Sequence, residues 1–314
     1  MRVIKPQRIR KGDTIGIISP ASSPDDLTRI EKSVNYFEKL GYRVEVGKNV
    51  WKERGYLAGE DSERLDDFHA MFKNKNVKAI FCVRGGYGSG RLLDKINYKL
   101  IKENPKIFVG YSDITALQLA IFSHTGLVTF AGPMPAVDFW QDEVSKFTEE
   151  NFWRLITSNK KIGKLINPNG EGFYLLAKGK TEGRLLGGNL ALITSLMGTK
   201  YLPSFKNSIL LLEDIGEPPY RVDRFLNQLR LGNILHDTSG IILGRFVDCY
   251  ENDTSKKTLT LNQVITDYFE KLNKPVIYNF KHGHISENIS IPFGLKCNLN
   301  ASRGIAEIKE SAVL

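Results

Sequence analysis

Apolar positions in the first half of the chain alternate between two rhythms. Short continuous runs of β-forming residues give way to apolar residues spaced three and four apart, and then to the next run. Asp13 to Ser19 reads as a buried strand, and Pro20 to Asp25 as a polar turn. Leu27, Ile30, Val34, Phe37 and Leu40 then mark one face of a helix that Gly41 ends, and Arg43 to Val46 resumes as a strand. Ser62 opens a second helix through Leu65, Phe68, Met71 and Phe72, followed by strands at Val77 to Val83 and Lys106 to Val109. A helical pattern from Ala116 to Gly126 leads to a further strand at Leu127 to Phe130. Strands that alternate with helices in this way predict βαβ units around a parallel sheet.

Beyond Asp138 the pattern loosens. A helix around Glu149 to Ile156 precedes a stretch rich in Lys, Asn and Gly, Ser158 to Gly172, whose composition suits a linker. Gly187-Gly188-Asn189 starts a short helix, Ser208 to Leu212 is a strand ending in Glu213-Asp214, and a helix carries Val222, Phe225, Leu226 and Leu229. β-rich pieces at Ile241 to Leu243, Pro275 to Phe280, Ile289 to Ile291 and Leu295 to Leu299 follow. The 314 residues suffice for two domains, and the expected division is 1–155, a linker at 156–180, and 181–314.

Composition removes several classes. With 41% hydrophobic and 25% charged residues the chain is neither disordered nor fibrous. Apolar runs such as Ile209 to Leu212 are far short of the roughly 18 to 20 residues that cross a bilayer, so no membrane span is expected. The basic stretch Met1 to Lys11 lacks the apolar core of a secretory signal, which points to the cytoplasm. Cys82, Cys249 and Cys297 are isolated and odd in number, and read as buried small hydrophobes rather than disulfide or zinc ligands. The balance of 44 Lys plus Arg against 35 Asp plus Glu favours anionic ligands, yet the lysines are scattered and no basic block of the nucleic-acid-binding kind occurs.

Candidate chemistry concentrates where strands end, because the carboxyl edge of a parallel sheet gathers loops and helix N-termini. Ser112, in Gly110-Tyr111-Ser112-Asp113, sits at a strand-to-helix passage that lifts a hydroxyl out of the sheet and aims backbone N–H groups at a developing oxyanion. Ile114 replaces the second glycine of the hydrolase elbow, and a plain helix N-cap is the competing reading. A base for this serine would be a histidine, and His282 and His284, flanking Gly283 after a strand, are the pair whose loop can enter a cleft. The same pair could ligate a metal, but no acid or thiol spacing accompanies it. Glu213, after four aliphatics, fits the carboxylate that orients such an imidazole, with an ion pair to Arg221 or Arg224 as the structural alternative. Arg84-Gly85-Gly86-Tyr87-Gly88-Ser89-Gly90 fits neither a dinucleotide fingerprint nor a P-loop. Its backbone N–H groups could supply half an oxyanion hole, and Arg84 could attract a substrate carboxylate.

Five strings in order resemble the LD-carboxypeptidases, serine peptidases of murein recycling. They are Arg84-Gly85-Gly86-Tyr87-Gly88, Gly110 to Asp113, Glu182 to Asn189, Leu212-Glu213-Asp214 with Pro219 to Arg224, and Gly283-His284 with Asn288 and Ile291 to Gly294. The resemblance implies an α/β protein with an N-terminal parallel-sheet domain, Rossmann-like and akin to class I glutamine amidotransferases, and a smaller β-rich C-terminal domain of the swivelling type. It implies a catalytic triad of Ser112, Glu213 and His284 across the domain interface, choosing His284 over His282. Oxyanion donors would lie near Gly86 and Asp113, with Gly85 beside them and Arg84 on the carboxylate of the leaving residue. It further implies a cytoplasmic homodimer that uses no metal or cofactor and releases the terminal D-alanine of a murein tetrapeptide.

A branch of the family resembles microcin-immunity proteins, which cleave aminoacyl-nucleotide analogues and carry an aromatic loop. Trp140 and Trp153 lie in the region where such a loop would occur, with packing against the sheet as the plainer role. From another class altogether, the basic surface fits a noncatalytic binder of anionic cell-wall fragments or RNA. Ligand affinity without D-alanine release would mark that case.

Overall fold

The computed structural model describes residues 2–314. In chain order the first part comprises β1 (Thr14–Ile18), α1 (Thr28–Lys39), β2 (Arg43–Val46), α2 (Asp61–Lys73), β3 (Val77–Cys82), α3 (Tyr98–Glu103), β4 (Ile107–Val109), α4 (Thr115–Thr125), β5 (Thr129–Ala131) and α5 (Lys146–Thr157). The second part comprises β6 (Gly163–Leu165), β7 (Tyr174–Ala177), β8 (Lys180–Asn189), α6 (Leu190–Ser195), β9 (Ser208–Ile215), α7 (Pro219–Leu231), α8 (Ile234–Asp237), β10 (Gly240–Val247), α9 (Leu261–Phe269), β11 (Val276–Tyr278), β12 (Ile291–Phe293), β13 (Lys296–Asn300) and β14 (Ile305–Ile308). Boundaries read from the apolar spacing fall within a residue or two of the observed ones for β1, α1, β2, α2, β3 and β4.

Two sheets organise the chain. The first has the order β12-β5-β4-β3-β1-β2 and is parallel from β5 to β2, as the βαβ alternation predicts. Its remaining strand, β12, comes from near the C-terminus and pairs antiparallel with β5. The sequence reading assigned the Ile289 to Ile291 piece to the C-terminal β-rich region. A three-residue strand carries no local mark of which sheet it will join, so the crossing was invisible there.

The second sheet, β6-β14-β13-β8-β9-β10-β11-β7, is mixed, with parallel pairing among β8, β9, β10 and β11 and antiparallel strands at both edges. The aliphatic runs Ile209 to Leu212 and Ile241 to Leu243 are its fully buried centre, the composition expected of parallel strands covered on both faces. The stretch 156–180, expected as linker, carries β6 and β7, one at each edge of this sheet. β6 is only Gly-Lys-Leu, and β7, Tyr-Leu-Leu-Ala, is apolar along its length although half exposed, so neither shows the alternation that marks a strand.

Helix α4 joins the two layers. Every residue from Thr115 to Phe122 is buried, and a helix apolar on all sides must be enclosed on all sides. It packs on β5 and α3 from its own layer and on β8 and α6 from the other. At its N-terminus Thr115 Oγ1 accepts the Asn189 backbone N–H at 3.1 Å, and the Asn189 side chain donates to Asp214 at 2.8 Å. One short chain of hydrogen bonds thus ties the start of α4 to β8 and β9. Thr115→Val keeps the shape but leaves that buried N–H unpaired, which costs about 1 to 3 kcal/mol. Urea unfolding should register the loss, and Thr115→Ser should recover most of it.

Candidate active site

Ser112 lies where β4 ends and a single 3-10 turn, Ser112–Ile114, leads into α4. Its φ is +63°, a left-handed conformation that a non-glycine residue adopts only when its surroundings impose it. The impositions are visible. Gln118 Nε2 donates to the Gly110 carbonyl at 2.9 Å, closing the turn from inside α4. The Gly85 backbone lies so close that a Cβ there would meet Ser112 Cβ at 2.8 Å and the Asp113 amide nitrogen at 3.1 Å. Only glycine fits at 85, and its absent side chain is what lets the Arg84–Gly86 loop sit against the serine.

Gly86, at φ +92°, turns the loop back toward Ser22. The Ser22 hydroxyl accepts from Tyr87 N at 3.0 Å and donates to the Tyr56 carbonyl at 2.6 Å, fixing the loop in place. Arg84 is partly exposed at the outer side of this loop, donating to the Ser23 carbonyl at 3.3 Å and standing 3.7 Å from the Asp25 carboxylate. Asp113 points away from the opening: its carboxylate accepts the Ser89 N–H at 2.8 Å, and burial pushes its pKa up. What Asp113 leaves beside Ser112 and Gly85 is its backbone.

The second layer supplies an acid and an imidazole. Glu213, in β9 rather than after it, is 1% exposed and accepts from His284 Nδ1 at 2.8 Å. This is its ion-pair partner, not Arg221, which pairs with Glu217, nor Arg224, which lies over Tyr220. Burial works to lower the His284 pKa, but the charge and hydrogen bond of Glu213, with Asp214 and Asp138 behind them, outweigh it and the net shift is upward from 6.5. With Nδ1 taken by Glu213, Nε2 is the ring nitrogen left without a partner, and no hydrogen bond joins it to Ser112 among the described residues. Catalytic contacts of this kind are often made only around substrate. The two layers do touch here, since the His284 ring meets Tyr111, the neighbour of Ser112, edge to face with centroids 5.2 Å apart.

His282 has a different place. It is buried, its Nδ1 is bonded to the Ile289 carbonyl at 2.8 Å, and burial lowers its pKa. Gly283 between the two histidines is held by Asn288 through bonds of 3.3 and 2.9 Å. No cluster of three metal-ligating side chains occurs among the described residues, and no helix of theirs is long and apolar enough to cross a membrane. The three cysteines are free and buried.

Three groups near the site carry no role in the sequence analysis. Tyr111 is buried beneath His284, and burial with Asp138 nearby raises its pKa well above 10. Asp138, in the single π-turn Pro135–Phe139, accepts the Met134 N–H at 2.8 Å, and burial raises its pKa to about 6. Asp214, bonded to Asn189 and the Ala191 and Ile215 N–H groups, is raised to about 7 by burial and by Glu213. An irregular five-residue turn has no periodic signature, although Asp after a strand run was in view at Asp214.

Residues 15–132 match the LD-carboxypeptidase N-terminal domain and residues 182–299 the LD-carboxypeptidase C-terminal domain. The chain belongs to the LD-carboxypeptidase family. A probable murein peptide carboxypeptidase of Bacillus subtilis is 42% identical over 306 residues, 97% of this chain and 94% of that protein. Among solved structures, a muramoyltetrapeptide carboxypeptidase from Oxalobacter formigenes superposes with a TM-score of 0.82 at 28% identity, covering 95% of this chain and 98% of the other. The microcin-immunity protein MccF in complex with glutamyl sulfamoyl guanosine superposes with a TM-score of 0.89 at 27% identity, covering 99% of each chain. Membership in this LD-carboxypeptidase family makes the protein a serine carboxypeptidase.

The upward shift at His284 fixes the pH behaviour of any reaction in which it must accept a proton. Activity should fall at low pH as His284 becomes protonated, with the midpoint of the acid limb in kcat/KM above 6.5. A pH profile taken at low substrate concentration measures it.

Proposed function

We propose that the protein hydrolyses the L,D-peptide bond to the terminal D-alanine of murein tetrapeptides, leaving tripeptides, in cytoplasmic peptidoglycan recycling and as a homodimer. The observation that carries the reading is the Glu213–His284 pair at 2.8 Å, brought by the second layer to the edge where Ser112 is held at φ +63°. The name of the Bacillus relative and that of the Oxalobacter structure supply the substrate class. In this reading the domain at 1–155 contributes the serine and the domain at 181–314 the acid and base.

The steps follow from the groups. His284 Nε2 takes the hydroxyl proton as Ser112 Oγ attacks the carbonyl carbon, and Glu213 stabilises the imidazolium through Nδ1–H. The oxyanion is met by backbone N–H groups of Gly86 and Asp113. The C–N bond then breaks, His284 gives its proton to the departing amine, and D-alanine leaves. Water enters, loses a proton to His284 and attacks the ester, releasing the tripeptide and restoring Ser112. Arg84, at the outer side of the loop, is assigned to a substrate carboxylate.

The rings that a nucleotide-directed reading would need are engaged elsewhere. Trp153 stacks on Tyr42 with centroids 5.1 Å apart and donates to the Tyr36 hydroxyl, while Arg29 covers Trp140 at 4.2 Å. The test is to incubate the protein separately with murein tetrapeptide and with an aminoacyl sulfamoyl adenylate and follow both by mass spectrometry. D-Alanine and tripeptide from the first, with slow or no cleavage of the second, is the expected result. The reverse preference would overturn the reading.

A further inference from the structure

A cavity of 310 Å³ opens between the C-terminal half of α5 and the segment that leads into β6, away from the serine. Three cations stand at it, Arg154, Lys160 and Lys161, and none has a carboxylate within ion-pairing distance among the described residues. No Asp or Glu lines it among the described residues. Its polar wall is Asn151, Ser158 and Ser290, the last 2% exposed and with a hydroxyl that has no hydrogen-bond partner. A buried hydroxyl normally finds a partner, because leaving it unpaired costs the loss of its bonds to water. The remaining wall is apolar, formed by Leu155, Ile162 and Leu165.

We propose that this cavity is a binding site for a small organic monoanion, a carboxylate with a short apolar body. The cations and the Ser290 hydroxyl take the charged end and the aliphatic wall takes the other. The absence of any acid in the lining selects against zwitterions such as D-alanine, whose ammonium would have no partner.

The site also reaches the His284 loop. Asn151 Oδ1 accepts the Ser290 N–H at 3.0 Å, and one turn earlier on α5 Thr148 Oγ1 donates to the Ser286 carbonyl at 2.5 Å and accepts from Asn288 N at 2.8 Å. Asn288 in turn holds Gly283, next to His284. The same face of α5 therefore lines the cavity and anchors the loop, and an occupant bridging Asn151, Ser290 and the cations braces residues 282–290.

Calorimetric titration of the whole protein with sodium butyrate, at ionic strength held constant with sodium chloride, tests the proposal. Saturable one-to-one binding is expected, weakened about ten-fold by the exposed double substitution Lys160→Ala with Lys161→Ala, and several-fold by Ser290→Ala. Inorganic phosphate, lacking an apolar body, should bind at least about ten-fold more weakly than butyrate. Hydrogen exchange of residues 282–290 should slow with butyrate in the wild type and not in the double variant. No saturable binding, equal affinity in the double variant, tighter phosphate binding, or unchanged exchange at 282–290 would each overturn it. Because the readouts are binding and exchange, a failure of the assigned peptidase substrate would leave this test unaffected.

Discussion

Ser112→Ala is expected to lower kcat on murein tetrapeptide by on the order of 10⁴-fold or more, with KM changed by less than about three-fold. The substitution removes the attacking oxygen and nothing else of consequence. Alanine has the same backbone cost as serine at φ +63°, and the hydroxyl makes no contact with His284 that the fold depends on. The turn is held from outside, by Gln118 on the Gly110 carbonyl and by the close Gly85 backbone. Steady-state D-alanine release measures the effect, and an unfolding midpoint within a degree or two of wild type excludes collapse as its cause. A variant retaining a tenth of wild-type turnover would remove the serine from the mechanism.

Glu213→Gln is expected to reduce kcat by on the order of 10³- to 10⁴-fold with geometry nearly preserved. The carboxylate accepts from Nδ1, which leaves Nε2 as the unprotonated nitrogen that can take the serine proton. A glutamine amide can donate to Nδ1 instead, stabilising the tautomer whose proton sits on Nε2, where it blocks the transfer. The charge effect has its own sign. Burial depresses the His284 pKa and Glu213 is the first of the groups that raise it, so removing that charge must move the acid limb downward. A pH profile of Glu213→Gln with its midpoint unchanged would mean that the acid does not govern this imidazole.

The periodicity of the first half revealed more of the fold than did the second. Helices such as α1 and α2 bury one face and leave the other wet, and their apolar residues repeat accordingly. β1 and β3 are mostly apolar and buried because both faces are covered, whereas β2, at the sheet edge, alternates. The other edge strands show neither pattern. β6, β7 and β12 are three or four residues long and are set by partners far away in the chain, so their sequences read as loop or as unassigned β. α4 was legible as a helix but not as the junction of two layers, since which neighbours enclose an all-apolar helix is a tertiary fact.

The site divides in the same manner. Ser112 and Glu213 stood out because each follows a buried strand run at the ligand-binding edge. His282 and His284 could not be separated by spacing alone, and the family resemblance favoured the second. In the structure the difference is burial and partner: His282 is sealed against the Ile289 carbonyl, whereas His284 is partly exposed and pairs with Glu213. Tyr111 and Asp138, which press on the same imidazole, left no pattern, because an edge-on ring contact and a π-turn arise only after the layers meet.

The most direct measurement is to quench the reaction with murein tetrapeptide in the first turnovers and map the protein by peptide mass spectrometry. The account predicts a tripeptide acyl group on the fragment bearing Ser112, lost on incubation in water at neutral pH and absent from Ser112→Ala. A tripeptide adduct on any other residue, or an adduct that persists unchanged in Ser112→Ala, would contradict it.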